Sequence, residues 1–355
     1  MPTPASPEVR RYRGAVIGAG GIARQSHLPA LRDAPTVSAR VDVVALVDSA
    51  PDVPPVDGIP LLSGREQLRR AGPIDFIDIC TPTASHLELT LWGLERGYHV
   101  VCEKPVALTR DEADRIALAA RAHGRIVMPC HQYRYNPVWM RVKQWLREGA
   151  IGRWHLAELS VHRLAADPGR ATGGEGGEGG APWRGTSAAG RGGVLLDHGT
   201  HLIYQLLDVA GLPAAVSAWT GRLRHQGYDV EDTASLHFEY PERLVTMFFT
   251  WAGRVRENRI RFIGDAGAIE WVGGELRLER GGKVERHDYS VELEKSAYHR
   301  WFARLFESFV AALERDDPAA AAAPHLADIR RVAAVVEHAY QAAHTGSKVA
   351  IPDDA

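Results

Sequence analysis

The chain has 355 residues, of which 45% are hydrophobic and 24% are charged, and its formal net charge is −2. This length predicts about two domains, and the composition is that of an ordinary globular protein. The balanced charge argues against nucleic acid or an anionic membrane surface as the main partner. Cys80, Cys102 and Cys130 form no CxxC pair, so we expect neither a zinc site nor a disulfide framework, and the expected location is the reducing cytoplasm. No apolar run approaches the ~20 residues of a membrane span.

The first part of the chain alternates short apolar runs with longer amphipathic segments. The runs are rich in Val and Ile and occupy residues 14–18, 41–48, 74–82, 98–105 and 125–133. This alternation is typical of βαβ units, which build a parallel sheet with helices on both faces. We therefore predict a doubly wound α/β domain over residues 9–136.

The pattern changes after this first domain. A helix is predicted around residues 138–148, and the short strands that follow it are separated by Gly, Pro and charged turns, which favours a largely antiparallel sheet. Two more helices are predicted at about 298–314 and 326–344, and the alanine run 319–323 between two prolines indicates a linker. Residues 137–355 are thus predicted to form a second α/β domain with a large open sheet, whose C-terminal helices return to the first domain.

The segment GAGGIA, residues 18–23, follows the first apolar run and precedes a helical segment. In this G-x-G-x-x-A arrangement Gly18 permits a tight turn, Gly20 lets the backbone approach a pyrophosphate, and Ala23 permits close helix packing. Asp48 ends the second run, where its carboxylate can accept hydrogen bonds from the ribose of NAD and repel the 2′-phosphate of NADP. We therefore expect NAD rather than NADP. The alternative is a glycine turn without a nucleotide, with an incidental Asp48.

Seven motifs extend over nearly the whole chain. They are GAGGIARQSHLPAL (18–31), DFIDICTPTASH (75–86), CEKPVAL (102–108), YRYNP (133–137), GGVLLDHGTHLI (192–203), RIRFIGDAGAIE (259–270) and HTGSKVAIP (344–352). In this order they resemble the Gfo/Idh/MocA oxidoreductase family. The resemblance implies an N-terminal Rossmann domain, an α/β domain built on a large open sheet, and an NAD(P)-dependent dehydrogenase or reductase.

The resemblance places three residues around the carbon that exchanges hydride with the nicotinamide: Lys104 of EKP, and Asp197 and His201 of D-x-x-x-H. These residue types also suit the oxidation of an alcohol independently of the resemblance, because an imidazole with an ordinary pKa of ~6.5 can accept a hydroxyl proton at neutral pH. Asp197 and His201 share one face of a helix, so that the carboxylate can orient the ring. Lys104 supplies a positive charge beside the developing alkoxide.

The resemblance also assigns the remaining site residues. Cofactor contacts are expected from Gly18, Gly20, Gly21, Ile22, Asp48, Thr81, Pro82, His86, Glu103 and Lys104. Substrate contacts are expected from Tyr133, Arg134, Trp183, Arg184 and Tyr204. Trp183 and Arg184 suit a sugar, because an indole stacks on its C–H face and a guanidinium binds hydroxyls, although surface packing is the alternative for this pair. Tyr204 stands where many relatives carry a second carboxylate, in the pattern H-x-x-D.

Two other interpretations of the D-x-x-x-H segment remain open. A divalent metal can use Asp197, His198 and His201, but on a helix His198 points about 100° away and no further ligands are evident, so no metal is expected. Alternatively, Asp197 caps a helix and His201 is a hydrogen-bonded core residue. His27, His131, His162 and His198 are expected to be structural, although His162 is in a position from which it can face the substrate.

The sequence predicts reversible NAD-linked oxidation of a secondary alcohol on a sugar, cyclitol or related polyhydroxylated compound. The alternatives are an NAD-dependent glycosidase that oxidises its sugar transiently, a dehalogenase or imine-reducing variant, and a non-catalytic dinucleotide-binding regulator, against which Lys104 and His201 argue. An open sheet exposes apolar strands unless another subunit covers it, so we expect a homodimer or homotetramer through the second sheet. The run 173–180 is expected to be a disordered lid or an insertion.

Overall fold

A computed structural model describes residues 10–56, 58–164 and 183–353. The strands are β1 (Tyr12–Ile17), β2 (Val41–Val47), β3 (Leu61–Leu62), β4 (Phe76–Ile79), β5 (His99–Cys102), β6 (Val127–Pro129), β7 (Trp154–Leu164), β8 (Ala215–Gly221), β9 (Thr233–Tyr240), β10 (Arg243–Gly253), β11 (Glu257–Gly264), β12 (Gly267–Val272), β13 (Glu275–Arg280), β14 (Lys283–Asp288) and β15 (Val349–Ala350). The α-helices are α1 (Leu28–Arg32), α2 (Pro35–Ser38), α3 (His86–Glu95), α4 (Arg110–His123), α5 (Pro137–Arg147), α6 (Ser187–Gly190), α7 (Thr200–Ala210), α8 (His299–Leu313) and α9 (Pro318–Thr345). Two π-helical turns, Ala23–His27 and Leu195–Gly199, lead directly into α1 and α7. Short 3₁₀ turns occupy Arg65–Ala71, Thr83–Ser85, Gln132–Tyr135, Trp183–Gly185 and Lys295–Ala297.

The first sheet has six parallel strands in the order β3-β2-β1-β4-β5-β6. Its central strands are buried, as a parallel sheet with helices on both faces requires. The order reverses between β1 and β4, and ligands of open parallel sheets bind at the carboxyl ends of the strands beside such a switch point. The glycine segment follows β1, so it lies at this position.

The second sheet has nine strands in the order β14-β13-β12-β11-β7-β10-β9-β8-β15, and every pairing is antiparallel except that of β7 with β10. Side chains alternate between its faces. On β10, Val245, Met247 and Phe249 are buried, whereas Leu244 and Phe248 are about 40% exposed. Residues of α5, α7 and α9 pack on the buried face. The predicted fold class, a Rossmann-type sheet followed by a large, mostly antiparallel open sheet, is confirmed.

The two C-terminal helices join the two halves of the molecule. Phe306 and Phe309 of α8 belong to the core of the first sheet, where Phe309 packs edge to face on Phe76 with ring centroids 5.2 Å apart. Along α9, Ile329 belongs to that first core and Val335 to the core of the second sheet. One helix therefore contributes side chains to the hydrophobic cores of both sheets.

The interpretation of residues 319–323 as a linker is wrong, because these alanines form the first turns of α9. The side chain of Asp317 accepts hydrogen bonds from the N–H groups of Ala319 and Ala320, and Pro318 occupies the first helical position. This is a favourable helix start, and alanine has the highest helix propensity of all residues. The run 173–180 lies outside the described residues. Within the described ranges, no helix has the length and apolar character needed to cross a membrane.

Candidate active site

The candidate site is centred on a contact between the two halves of the chain. Lys104 follows β5, and Asp197 lies in the π-helical turn before α7. The Nζ of Lys104 donates hydrogen bonds to Oδ1 of Asp197 at 2.9 Å and to its backbone oxygen at 2.8 Å. The two side chains are 11% and 20% exposed, so the pair is largely shielded but open to a small ligand. The structure thus brings together two of the three predicted catalytic residues, which are 93 positions apart.

Glu231 holds the turn that carries Asp197. Its Oε1 accepts hydrogen bonds from the N–H groups of Gly193 and Leu195, and also the hydroxyl proton of Tyr340. A Cβ atom at Gly193 would lie 1.9 Å from the backbone oxygen of Glu231, so a side chain at this position is excluded. The glycines before the D-x-x-x-H motif therefore let the backbone approach Glu231, which anchors the start of the site helix.

Asp197 is held ionised. Burial alone would raise the pKa of its carboxyl group, but the positive charges of Lys104 and Arg184 lower that pKa well below its usual range. The Nε of Arg184 lies 3.5 Å from Oδ2 of Asp197. A carboxylate between two cations is a poor general acid, so Asp197 acts here as an anchor for positive charge.

His201 is oriented through one ring nitrogen. Its Nδ1 lies 2.9 Å from the phenol oxygen of Tyr204, and that oxygen accepts the backbone N–H of Tyr133 at 3.1 Å. The rings of Tyr133 and His201 pack with centroids 4.3 Å apart. Burial, with a smaller effect of the charge of Lys104, lowers the pKa of His201 well below its ordinary value. His201 is therefore neutral, and its Nε2, which has no hydrogen-bond partner among the described residues, is the nitrogen left for a substrate.

The expectation that His198 points away from the site is wrong. Its Nδ1 lies 3.3 Å from Oδ2 of Asp197 and accepts the indole N–H of Trp251 at 3.1 Å. The expectation considered only helical spacing, whereas the ring of His198 is held by Trp251 of β10, a residue distant in the sequence. Because an indole only donates, Nδ1 of His198 is unprotonated, and burial lowers the pKa of His198 to about 3. His198 is a second neutral imidazole beside His201.

The glycine segment after β1 has a backbone conformation that a ligand can approach closely. Gly18 has φ +95°, and a Cβ atom there would lie 2.8 Å from the backbone carbon and oxygen of Cys80 at the end of β4. The N–H of Ala19 donates to Oδ2 of Asp48 at 2.8 Å, which fixes the carboxylate beside the loop. The helix then begins at an accessible edge, where Ile22 is 37% exposed. Three features fit a nicotinamide dinucleotide. They are the tight turn at Gly18, the exposed start of the helix at Ile22, and the carboxylate of Asp48 after β2.

Other residues expected at the cofactor surround this loop. Gly20 and Pro82 are exposed and Gly21 is partly exposed, and Thr81 lies against Gly18. His86 instead is buried, and its two ring nitrogens lie 2.8 Å from the backbone oxygens of Thr81 and Pro105. His86 thus connects the end of β4 to the EKP turn and acts on the site through the backbone.

Glu103 points into the core of the first domain. Its Oε1 lies 3.0 Å from Nε2 of His27, whose Nδ1 lies 2.8 Å from Oδ2 of Asp78. Burial opposes protonation of His27, but the charge of Asp78 raises the pKa of His27 well above its ordinary value. The imidazolium between two carboxylates holds the sheet beneath the EKP turn. Cys80 and Cys130 complete two groups around His27 with metal-ligand spacing, but the protonated ring offers no lone pair to an ion.

The predicted substrate residues differ in where they point. Tyr133 lines a cavity with His198 and His201. Arg134 instead pairs with Asp328 of α9 and donates to the backbone oxygen of Tyr204 at 3.4 Å, which engages its guanidinium away from the cavity. Arg184 lies beside Asp197, and the side chain of Trp183 is outside what the structure describes.

Sequence reasoning missed four polar residues of this cavity, Ser160, Arg163, Gln205 and Asn258. Strand alternation on β7 places Arg163 on the same face as buried Val161. His162 points to the opposite face, where its ring packs on exposed Phe248 with centroids 5.6 Å apart. The expectation that His162 can face the substrate is therefore wrong, and the strand period is the signal by which Arg163 could have been found.

Both halves of the chain match one protein family. Residues 12–131 match its oxidoreductase domain, described as an NAD-binding Rossmann fold, and residues 139–270 match the GFO/IDH/MocA C-terminal domain. The uncharacterized oxidoreductase YdgJ of Escherichia coli is 25% identical over 287 residues, which are 79% of this chain and 78% of that protein. The D-glucoside 3-dehydrogenase of the same organism is 24% identical over 294 residues, 78% of this chain and 79% of that protein.

Other similarities cover less of the sequence or only the fold. The scyllo-inositol 2-dehydrogenase (NADP(+)) IolW of Bacillus subtilis is 28% identical over 156 residues, 43% of this chain and 39% of that protein. A solved structure of an oxidoreductase from Agrobacterium radiobacter, in complex with NAD+, L-tartaric acid and magnesium, has a TM-score of 0.80 at 21% identity and covers 96% of this chain and 98% of that one. The two matches follow one another along the chain, and Lys104 lies in the first and Asp197 in the second. The chain therefore belongs to the GFO/IDH/MocA family of oxidoreductases, with an NAD-binding Rossmann domain and the C-terminal domain of that family.

Proposed function

We propose that this protein is an NAD-dependent dehydrogenase or reductase that transfers hydride between the nicotinamide and a secondary alcohol or ketone of a polyhydroxylated small molecule. The observation that carries this proposal is the meeting of Lys104 and Asp197 between the two domains, close to His201 of α7, whose Nε2 has no partner in the ranges that the structure describes. A non-catalytic regulator has no need of such a proton-transfer site.

The chemistry assigns a role to each of the three side chains. A nicotinamide bound beyond the glycine loop supplies the hydride acceptor or donor. His201 accepts the hydroxyl proton at Nε2 in oxidation, and it returns a proton to the carbonyl oxygen in reduction. Because its pKa is lowered, His201 is a weaker base than free imidazole, and the charge of Lys104 is needed to stabilise the developing alkoxide. Asp197 holds Lys104 in place.

The substrate class proposed is a sugar, cyclitol or related compound. Two relatives are named for such substrates, a D-glucoside and scyllo-inositol. In this chain, Arg184 beside Asp197 and the partly buried Tyr133 beside His201 provide the donor and the flat surface that hydroxyl-bearing rings favour.

The cofactor proposed is NAD rather than NADP. Asp48 ends β2 with its carboxylate fixed by the N–H of Ala19, where a negative charge repels a 2′-phosphate. The relative IolW is named for NADP(+), so the two cofactors have to be compared directly in this protein.

The test is the ultraviolet absorbance of NADH, followed with purified protein, NAD and a panel of sugars, inositols, sugar acids and glycosides. Net NADH formation that depends on His201 supports the proposal, with His155→Gln as the control for an exposed histidine. Cleavage of a glycoside without net NADH would indicate a glycosidase that returns the hydride. Tight NAD binding without any reaction on the panel would favour a regulator.

We also propose that the protein forms a homodimer or homotetramer through the open face of the second sheet. Leu156, Leu244, Phe248 and Trp219 are each 39–48% exposed on strands β7, β10 and β8. Arg259 and Glu270 pair at 2.6 Å on neighbouring strands, so charges of both signs accompany these apolar side chains. An apolar surface with mixed charges suits a second copy of the same face.

A further inference from the structure

Arg163 has an unusual position for a charged side chain. It is partly buried near the end of β7, on the face of the sheet that α7 covers. Its Nη1 donates to the backbone oxygen of His162 at 2.9 Å, to Oδ1 of Asn258 at 2.8 Å and to the backbone oxygen of Glu257 at 3.4 Å. Among the described residues, its Nε and Nη2 have no hydrogen-bond partner, and no carboxylate pairs with the guanidinium. One nitrogen is thus anchored, and two donors remain for a ligand.

The charged side chains that act most strongly on Arg163 are one cation and one carboxylate. The charged groups that act on it include Asp197 and Arg256, and the carboxylate of Asp197 is already neutralised by Lys104 and Arg184. Burial lowers the pKa of Arg163, which reflects the cost of holding a cation away from water. Buried charges in proteins are normally paired. A ligand with a negative charge would supply the partner that the described part of the chain lacks.

A second polar side chain at the same place also lacks partners. Gln205 lies one turn after His201 on α7 and is fully buried, and within the described part of the chain neither its Nε2 nor its Oε1 has a hydrogen-bond partner. It lines one cavity with Arg163, Asn258 and the two imidazoles of the site. The cavity measures about 10 Å³, which is about the space of one water molecule. Buried amides are almost always hydrogen-bonded, so this site is suited to a small polar group.

We propose that Arg163, supported by Asn258 and Gln205, binds a carboxylate of the substrate, so that the substrate is a polyhydroxylated carboxylic acid such as an aldonate or a uronate. This inference rests on the dehydrogenase function proposed above and narrows its substrate class. A guanidinium presents paired donors to the two oxygens of a carboxylate, and a water molecule in the cavity can connect one of these oxygens to Gln205. With the carboxylate at Arg163, the hydroxyl groups of the same molecule extend toward His201.

The experiment compares acids with neutral compounds of the same carbon skeleton. The probes are D-glucuronate with D-glucose, D-galacturonate with D-galactose, and D-gluconate with D-sorbitol, and glucose 6-phosphate tests a different anion. Steady-state NADH formation is measured for the wild type, Arg163→Gln and Arg163→Lys, with Arg147→Gln at the exposed end of α5 as the control. We expect one acid to be oxidised with a KM about tenfold or more below that of its neutral partner.

Arg163→Gln is expected to raise the KM for that acid by about 10–100-fold, in line with the loss of a charge-assisted hydrogen bond, with a smaller effect on kcat. Arg163→Lys should retain part of the affinity, because it retains the charge. The KM of the neutral partner should not change in either variant. If Arg163→Gln does not fold, Gln205→Leu serves as the second variant, and it should raise the KM for the acid without affecting the neutral compound.

The outcomes separate this inference from the proposed function. Oxidation of neutral compounds as efficiently as of acids, with no effect of Arg163→Gln on their ratio, would overturn the carboxylate site and leave the dehydrogenase function standing. A preference for the phosphate would overturn the carboxylate assignment as well. If no compound is oxidised, calorimetry with the NADH-loaded protein decides: acid binding that is lost in Arg163→Gln supports the site, and absence of acid binding overturns it.

Discussion

The phenol oxygen of Tyr204 lies 2.9 Å from Nδ1 of His201, and the same oxygen accepts the backbone N–H of Tyr133. Tyr204 is fully buried, and its ring stacks on His131 with centroids 4.2 Å apart, so the hydroxyl is held in place. Whichever nitrogen of His201 carries the proton, Nδ1 is engaged by Tyr204, and Nε2 is the nitrogen that we propose contacts the substrate. Tyr204, predicted to contact the substrate directly, is therefore proposed to act through His201.

Tyr204→Phe tests this role, because it removes only the hydroxyl group. We expect kcat to fall about tenfold, equivalent to about 1.4 kcal/mol, since a buried nitrogen loses its partner and the ring of His201 is less well oriented. The KM for NAD should remain unchanged. Tyr240→Phe is the matched control, because that hydroxyl donates to the backbone oxygen of Gly211 at the exposed end of α7. A Tyr204→Phe enzyme with the wild-type kcat would show that this hydrogen bond does not orient His201.

Local signals in the sequence predicted the fold and part of the site. The glycine segment before Asp48 and the strand ends that carry Thr81 and Lys104 follow from hydrophobic periodicity and turn chemistry. His198 was misplaced because its ring is held by Trp251 of β10, and helical spacing does not specify a contact between residues so distant in the sequence. The strand period gives the face of β7 on which Arg163 lies, but periodicity does not specify that this face meets Gln205 of α7, because the two elements come together only through long-range packing.

His198 should make stability depend on pH. Its pKa in the folded protein is about 3, against an ordinary value of 6.5, so between these values the unfolded chain binds a proton that the folded protein does not. Its contribution to the free energy of unfolding is therefore fully present above pH 6.5 and is lost progressively as the pH falls toward 3. His131 and His201, whose pKa values are also lowered by burial, contribute in the same direction.

Urea unfolding between pH 7 and 5 measures this dependence. His198→Gln keeps an acceptor for the indole N–H of Trp251 but cannot titrate, so its free energy of unfolding should fall less steeply on acidification than that of the wild type. His155→Gln, at an exposed position, should retain the wild-type slope. Equal slopes in all three proteins would contradict the lowered pKa of His198.

Asp48 should determine the choice of cofactor. Asp48→Ser removes the negative charge beside the expected ribose, so we expect weaker binding of NAD and a preference for NAD over NADP that is reduced about tenfold or more. Titration of protein fluorescence with NADH and NADPH measures both affinities. Asp52→Ser, four residues further along and exposed, controls for a general effect of charge. An unchanged ratio of affinities would show that Asp48 does not face the ribose.

Phe248 should determine self-association. It is 40% exposed at the centre of the open face of the second sheet, and Phe248→Glu places a charge where we propose that a second copy packs. Light scattering should give a dimer or tetramer for the wild type and a smaller species for the variant. Val291→Glu, where the side chain is 68% exposed outside the sheet, should assemble like the wild type. A wild-type monomer at micromolar concentration would contradict the proposal.

The most direct test of the proposed chemistry is a single-turnover measurement of hydride transfer in wild type and His201→Gln. The substrate is the compound that forms NADH in the panel, used with hydrogen and with deuterium at its reacting carbon. We predict that deuterium slows the wild type, and that His201→Gln lowers the rate by about 10²–10⁴-fold while its affinity for NADH stays unchanged. A His201→Gln enzyme that transfers hydride at the wild-type rate would contradict the role of His201 as the proton acceptor.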